Sequence, residues 1–215
     1  MVAIIENGDV LLFQGDSITD CGRREAADGL GSGYPAIVAG LLPRLRPELK
    51  LTVLNRGIGG DRTAELLARW KTDCEDLKPS LLSIFIGVND VWRILGKWCG
   101  QVYIGPDEYR DNYRRLLERA KAAGVRGLVL ASPTAIDENR DAGLADLLDE
   151  RAAIVRALAA EFGAVYVPFR ESQARLLAER PDIRWTSDGC HPTAAGQAAL
   201  AWTWLEATGL AVPEN

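Results

Sequence analysis

Five short apolar runs, Val10 to Phe13, Leu51 to Leu54, Leu81 to Ile86, Leu128 to Ala131 and Val165 to Val167, alternate along the chain with stretches of helical periodicity. A short run that is apolar at almost every position and bounded by turn residues reads as a strand covered on both faces, and such strands belong to parallel sheets. Parallel neighbours need crossover connections, which the helical stretches supply. The expected fold is α/β: a doubly wound, five-stranded parallel sheet with flanking helices, in the flavodoxin-like order 2-1-3-4-5. The chain has 215 residues, 47% of them hydrophobic and 26% charged, which fits one globular domain, 1–215, with a well-buried core. No internal repeat, low-complexity tract or linker divides it.

The helical stretches have legible limits. Pro35 to Leu42 forms a short helix closed by Pro43 and Pro47, and Thr63 to Leu77 forms a longer one stopped before Pro79. Val91 to Pro106 is irregular. Helices then follow from Asp107 to Ala123, Leu144 to Phe162, Glu171 to Glu179 and Thr193 to about Thr208.

Chemistry gathers where the strands end. The first run stops at Gly15-Asp16-Ser17, the second at Asn55-Arg56-Gly57-Ile58-Gly59-Gly60, and the third at the polar turn Gly87-Val88-Asn89-Asp90. Open α/β sheets place ligands at the carboxyl ends of their strands, and in the order 2-1-3-4-5 the ends of strands 1, 2 and 3 are adjacent. Ser17, Gly60 and Asn89 would then converge. A serine at such an edge is a candidate nucleophile, provided the chain supplies a base, an orienting carboxylate and donors for an oxyanion. The chain has a single histidine, His191, so any serine-histidine mechanism uses it. Asp188 lies three residues earlier, close enough to orient the imidazole.

Other classes are disfavoured. A net charge of -5 without a long basic stretch argues against a nucleic-acid partner. No apolar run spans a bilayer and no basic, then apolar, leader opens the chain, so no membrane partner and a cytoplasmic location are expected. The four cysteines, Cys21, Cys74, Cys99 and Cys190, contain no C-x-x-C pair, and with one histidine they make a metal site improbable. Cys190 adjoins His191, but neighbours on an extended segment point apart and no second histidine serves it as base. Trp92, Trp98 and Trp185 fall in loops at the same edge, where their rings can pack on sugar faces or serve core and subunit packing.

With these blocks in order, the chain resembles the SGNH, or GDSL-like, hydrolases over nearly its whole length. Gly15-Asp16-Ser17 matches the first block, Asn55 to Gly60 the second, Gly87 to Asp90 the third, and Asp188 with His191 the last. Ile18 stands where the family's shorthand has leucine. The resemblance implies Ser17 as nucleophile, His191 as general base and acid, and Asp188 as its orienting partner. It also implies an oxyanion hole made of the Ser17 and Gly60 backbone N–H groups and the Asn89 side chain, and no cofactor. Within the family, GDSITDCGR and GVNDVWR look most like bacterial acetylxylan esterases. That implies a serine esterase removing acetyl or other short acyl groups from carbohydrate such as xylo-oligosaccharides, with Trp92 and Trp185 as substrate-binding residues and a homo-oligomer as a possible assembly. Two alternatives stand beside it: a thioesterase or lysophospholipase of the same fold, and a non-catalytic carbohydrate-binding protein.

Overall fold

The computed structural model describes residues 5–92, 102–134 and 142–211. Its five strands, β1 (Val10–Gly15), β2 (Thr52–Asn55), β3 (Leu81–Phe85), β4 (Gly127–Ala131) and β5 (Val165–Val167), form one parallel sheet, as the alternation of runs and helices predicts, in the order β2-β1-β3-β4-β5, the one expected to bring the polar strand ends together. Side chains on a strand alternate between faces, so the apolar runs supply two cores. On one face Leu11, Phe13, Leu81, Phe85, Val129 and Val167 pack with α2 (Tyr34–Leu45), α8 (Phe169–Glu179) and α9 (Ala194–Ala207). On the other, Leu12, Leu82, Ile84, Leu128 and Leu130 meet α3 (Thr63–Ala68), α4 (Trp70–Asp73), α6 (Pro106–Ala122) and α7 (Ala142–Phe162). Two very short helices, α1 (Ser17–Asp20) and α5 (Val88–Trp92), sit directly at the carboxyl ends of β1 and β3.

Three departures from the sequence expectation carry physical reasons. Pro43 does not close α2. A proline removes one helical hydrogen bond, but here the last turn survives through Arg46 N–H donating to Leu42 O at 2.7 Å, with Leu42 buried in the core beneath it. The helix expected over Thr63 to Leu77 is instead α3, α4 and a 3-10 turn at Glu75–Leu77, with the first break at Arg69, whose guanidinium is turned toward the sheet edge. The polar turn expected at Gly87 to Asp90 is largely helical, since Val88 to Asp90 open α5. Much of the segment expected to be irregular, including Trp98 and Cys99, lies outside the described residues.

Candidate active site

Ser17 is the first residue of α1. The strand-to-helix turn is fixed by Asp16, whose carboxylate accepts the Ile18 N–H at 3.0 Å and so caps the helix. The Ser17 hydroxyl lies 2.9 Å from His191 Nε2, and His191 Nδ1 lies 2.7 Å from Asp188 Oδ2. Residues 174 positions apart in the chain therefore form one hydrogen-bonded line from carboxylate to hydroxyl.

The loop bearing His191 is built locally. Asp188 Oδ1 accepts the N–H groups of Cys190 (3.0 Å) and His191 (2.8 Å), leaving Oδ2 for the ring. Partial burial pushes the Asp188 carboxyl up, but the His191 N–H and ring and the Cys190 N–H outweigh it and hold its pKa below the ordinary carboxylate range. Ser187 N–H donates to His191 O, and Thr186 bridges Pro192, which closes the loop on itself. Thr193 then caps α9 by accepting the Gly196 N–H. Gln197, one turn into α9, ties this loop to the surroundings of Ser17. Its Oε1 accepts the Tyr34 N–H at 2.8 Å and its Nε2 donates to Ile18 O at 3.3 Å. Nothing in periodicity marks Gln197; a buried polar residue in a helix needs partners, and here they are α1, which carries Ser17, and the first residue of α2.

The loop after β2 reaches the same place. Asn55 Nδ2 donates to Thr19 O (2.7 Å) and Leu30 O (2.8 Å), while its Oδ1 accepts the Gly57 N–H at 2.9 Å. Gly57 must be glycine, because a Cβ there would stand 2.3 Å from the Asp20 nitrogen on α1. Gly60 has φ +84°, the left-handed region that favours glycine, and the adjoining Gly59 N–H donates to Asp20 Oδ2 at 3.3 Å. Asn89 on α5 comes in from the other side, with Nδ2 donating to Asp61 O at 3.1 Å. An amide NH₂ carries two protons, so one bond fixes the group while the second proton stays available to a ligand.

Three buried carboxylates underlie the site. Burial pushes Asp16 up to about 7, with further repulsion from Asp90 and Asp61. Burial likewise pushes Asp90 up to about 6, against the pull of Thr63, whose N–H and hydroxyl Asp90 accepts at the start of α3. Asp61 is raised by burial despite its ion pair with Arg69. Asp90, Asp61 and Arg69 carry no role in the sequence reading.

Of the tryptophans, Trp92 is half-buried at the end of α5 and packs against the core. Trp185 is 8% exposed, its indole N–H donating to Arg180 O at 3.0 Å, so most of its ring serves packing and little of it faces a ligand. Cys190 is buried, and burial, followed by the charges of Asp16 and Asp188, pushes its thiol pKa up, away from the thiolate a nucleophile requires.

Residues 13–199 match the GDSL-like lipase/acylhydrolase family. The acetylxylan esterase of Geobacillus stearothermophilus is 36% identical over 211 residues, 95% of this chain and 96% of that one. A crystal structure of a catalytic mutant of the same organism's acetylxylan esterase Axe2 superposes with a TM-score of 0.90 at 34% identity, covering 98% of this chain and 99% of that one. The hydrolase LAE5, from the metagenome of Lake Arreo, gives 0.88 at 31% identity, covering 97% and 99%. The chain therefore belongs to the GDSL-like lipase/acylhydrolase family and is a carboxylic ester hydrolase.

Proposed function

We propose that this enzyme removes acetyl and other short acyl groups from carbohydrate, with acetylated xylo-oligosaccharides as the substrate class, through an acyl-enzyme on Ser17. The observation that carries the mechanism is the unbroken line Asp188–His191–Ser17, with spacings of 2.7 and 2.9 Å. His191 Nε2 takes the hydroxyl proton as Ser17 attacks the ester carbonyl, while Nδ1–H donates to Asp188, which holds the ring and stabilises its charged form. The Ser17 and Gly60 N–H groups and the second Asn89 proton receive the oxyanion. His191 then protonates the departing sugar alcohol, and water repeats the sequence on the acyl-serine. No step calls for a cofactor.

Support for the substrate comes from the 36% identical acetylxylan esterase. Catalytic mutants of that esterase replace a serine, an aspartate and a histidine, the three residue types that meet here. Trp92, at the end of the helix that carries Asn89, is the better placed of the two expected sugar contacts; Trp185 contributes through its exposed edge. Hydrolysis of acetylated xylo-oligosaccharides, measured beside nitrophenyl esters of increasing chain length, tests the reading. Activity that rises with acyl length would favour the thioesterase or lysophospholipase alternative. Ser17→Ala is expected to abolish hydrolysis while the protein still folds, and a fully active variant would remove Ser17 from the mechanism. Absence of hydrolysis together with retained sugar binding would favour the carbohydrate-binding alternative.

Two further readings have narrower support. Trp202 on α9, 48% exposed, and Leu41 on α2 lie on helices whose segments Tyr34–Leu42 and Ala194–Leu205 contain no charged residue, which favours a homo-oligomer. Light scattering after size exclusion decides it. No helix among the described residues is long and apolar enough to cross a membrane. The free thiols of Cys21, Cys74 and Cys190 favour a reducing, cytoplasmic compartment, which fractionation of the host cell checks.

A further inference from the structure

The break between α3 and α4 has a use. Arg69, whose side chain is 13% exposed, spends its guanidinium on four acceptors: Nε on Asp61 Oδ2 at 2.6 Å, Nη1 on Gln14 Oε1 at 2.9 Å and Asp73 Oδ2 at 3.0 Å, and Nη2 on Gly15 O at 3.2 Å. Gln14 is fully buried in β1 and is itself anchored to Asp73 O, so the last residues of the nucleophile strand are tied to this cation by side chain and backbone alike. Gly15 O also accepts the Ile58 N–H at 3.1 Å, and Asp61 N–H returns to Ile58 O at 3.2 Å, closing the turn that contains Gly59 and Gly60. Asp61 O in turn holds Asn89 Nδ2.

Each expected oxyanion donor is thus one short step from the same planar group. Ser17 N–H lies two residues beyond Gly15, Gly60 N–H adjoins Asp61, and the Asn89 amide hangs from the Asp61 carbonyl. We propose that Arg69 is the positioning residue of the oxyanion hole: it touches no substrate, and it fixes the relative placement of three donors that come from three different strand ends. The inference rests on the oxyanion assignment made above. A guanidinium suits the task because it is planar, permanently charged and forked, whereas an ammonium is a point charge that cannot hold Gly15, Gln14 and Asp61 in one plane.

Arg69→Lys tests this, with Arg69→Met as the second variant, melting temperature as the check on folding, and nitrophenyl acetate as substrate. A positioning role predicts that kcat of the folded Arg69→Lys enzyme falls by about tenfold or more while KM changes little, because donors aimed at the oxyanion act in the transition state. Arg119→Met serves as the control for loss of an ion pair in the same stretch, since Arg119 pairs with Glu75 and reaches Leu67 O on α3, away from the donors. It should leave kcat unchanged. The decisive comparison is a double-mutant cycle with Asn89→Ala. If Arg69 works through the donors, Arg69→Lys costs clearly less in the Asn89→Ala background than in the wild type. Multiplicative losses, or a loss confined to melting temperature, would overturn the positioning role. An Asn89→Ala enzyme with undiminished kcat would instead bring down the oxyanion assignment itself, and the role of Arg69 with it.

Discussion

Asp188 and Asp16 are the same residue type at the same edge of the sheet, and their surroundings drive them in opposite directions. Asp188 sits on the loop before α9 with its side chain 52% exposed, and the N–H groups and ring of its own loop hold its pKa down. Asp16 is 1% exposed beneath Ser17, and burial raises it to about 7. One carboxylate is held charged 2.7 Å from an imidazole nitrogen; the other shares a buried floor with Asp61 and Asp90. The difference shows how one acidic rim divides into an exposed, charged carboxylate, to which the proposed mechanism gives the orienting role, and a buried structural foundation. It also predicts which substitutions affect turnover and which affect folding.

The largest effect expected is that of Asp188→Asn. If Asp188 orients His191 and stabilises its charged form, acylation should slow by about 10⁴-fold, the order seen when the best-studied triad loses its carboxylate, with little change in substrate binding. Single-turnover kinetics with a nitrophenyl ester measure the step directly. Retention of most activity would mean that the orienting charge resides elsewhere, and the contrast with Asp16 would collapse.

Asn89→Ala comes next. Losing one side-chain donor to an oxyanion typically costs about 3 kcal/mol, roughly a hundredfold in kcat. Asn89 also holds Asp61 O, so the variant should be slightly less stable as well, and kcat read at a temperature well below its melting point separates the two effects.

What the sequence made legible follows the same division. The parallel sheet follows from apolar runs separated by helices, its order from the choice that lets the polar strand ends meet, and the meeting of Ser17 with His191 from there being a single histidine. The foundation was less visible. Asp61, Arg69 and Asp90 look like solvated charges on helix and loop, and their burial arises only when three strand ends are brought side by side. The helix read as continuous from Thr63 to Leu77 hid Arg69 for the same reason: periodicity reports which residues face the sheet, and it is silent on a polar side chain that leaves the pattern to reach buried acceptors. Trp185 illustrates the converse. Its place in a loop leaves sugar contact and core packing both open, and the fold gives most of the ring to packing, with its indole N–H on Arg180 O.

The smallest effect on turnover, and the most informative about the floor of the site, is expected from Asp16→Asn. An asparagine oxygen accepts the Ile18 N–H as the carboxylate does, so the cap on α1 survives and kcat per folded molecule should stay close to wild type. Stability should change with pH in a defined sense. The folded pKa, about 7, lies above the ordinary aspartate value of about 3.9 that holds in an unfolded chain, so the folded state keeps its proton across that interval while the unfolded state loses its own. Wild-type stability from this group is therefore fully present below about pH 4 and is lost as pH rises toward 7 and through it. Asparagine has no proton to lose. At pH 8 the variant should be the more stable protein, on the order of a few kcal/mol at about 1.4 kcal/mol per pKa unit, and the advantage should shrink steadily on acidification. Urea titrations of both proteins across this range measure it. A variant less stable than wild type at pH 8, with the gap closing in acid, would mean that Asp16 is charged in the folded enzyme and that its charge, like that of Asp188, is put to use.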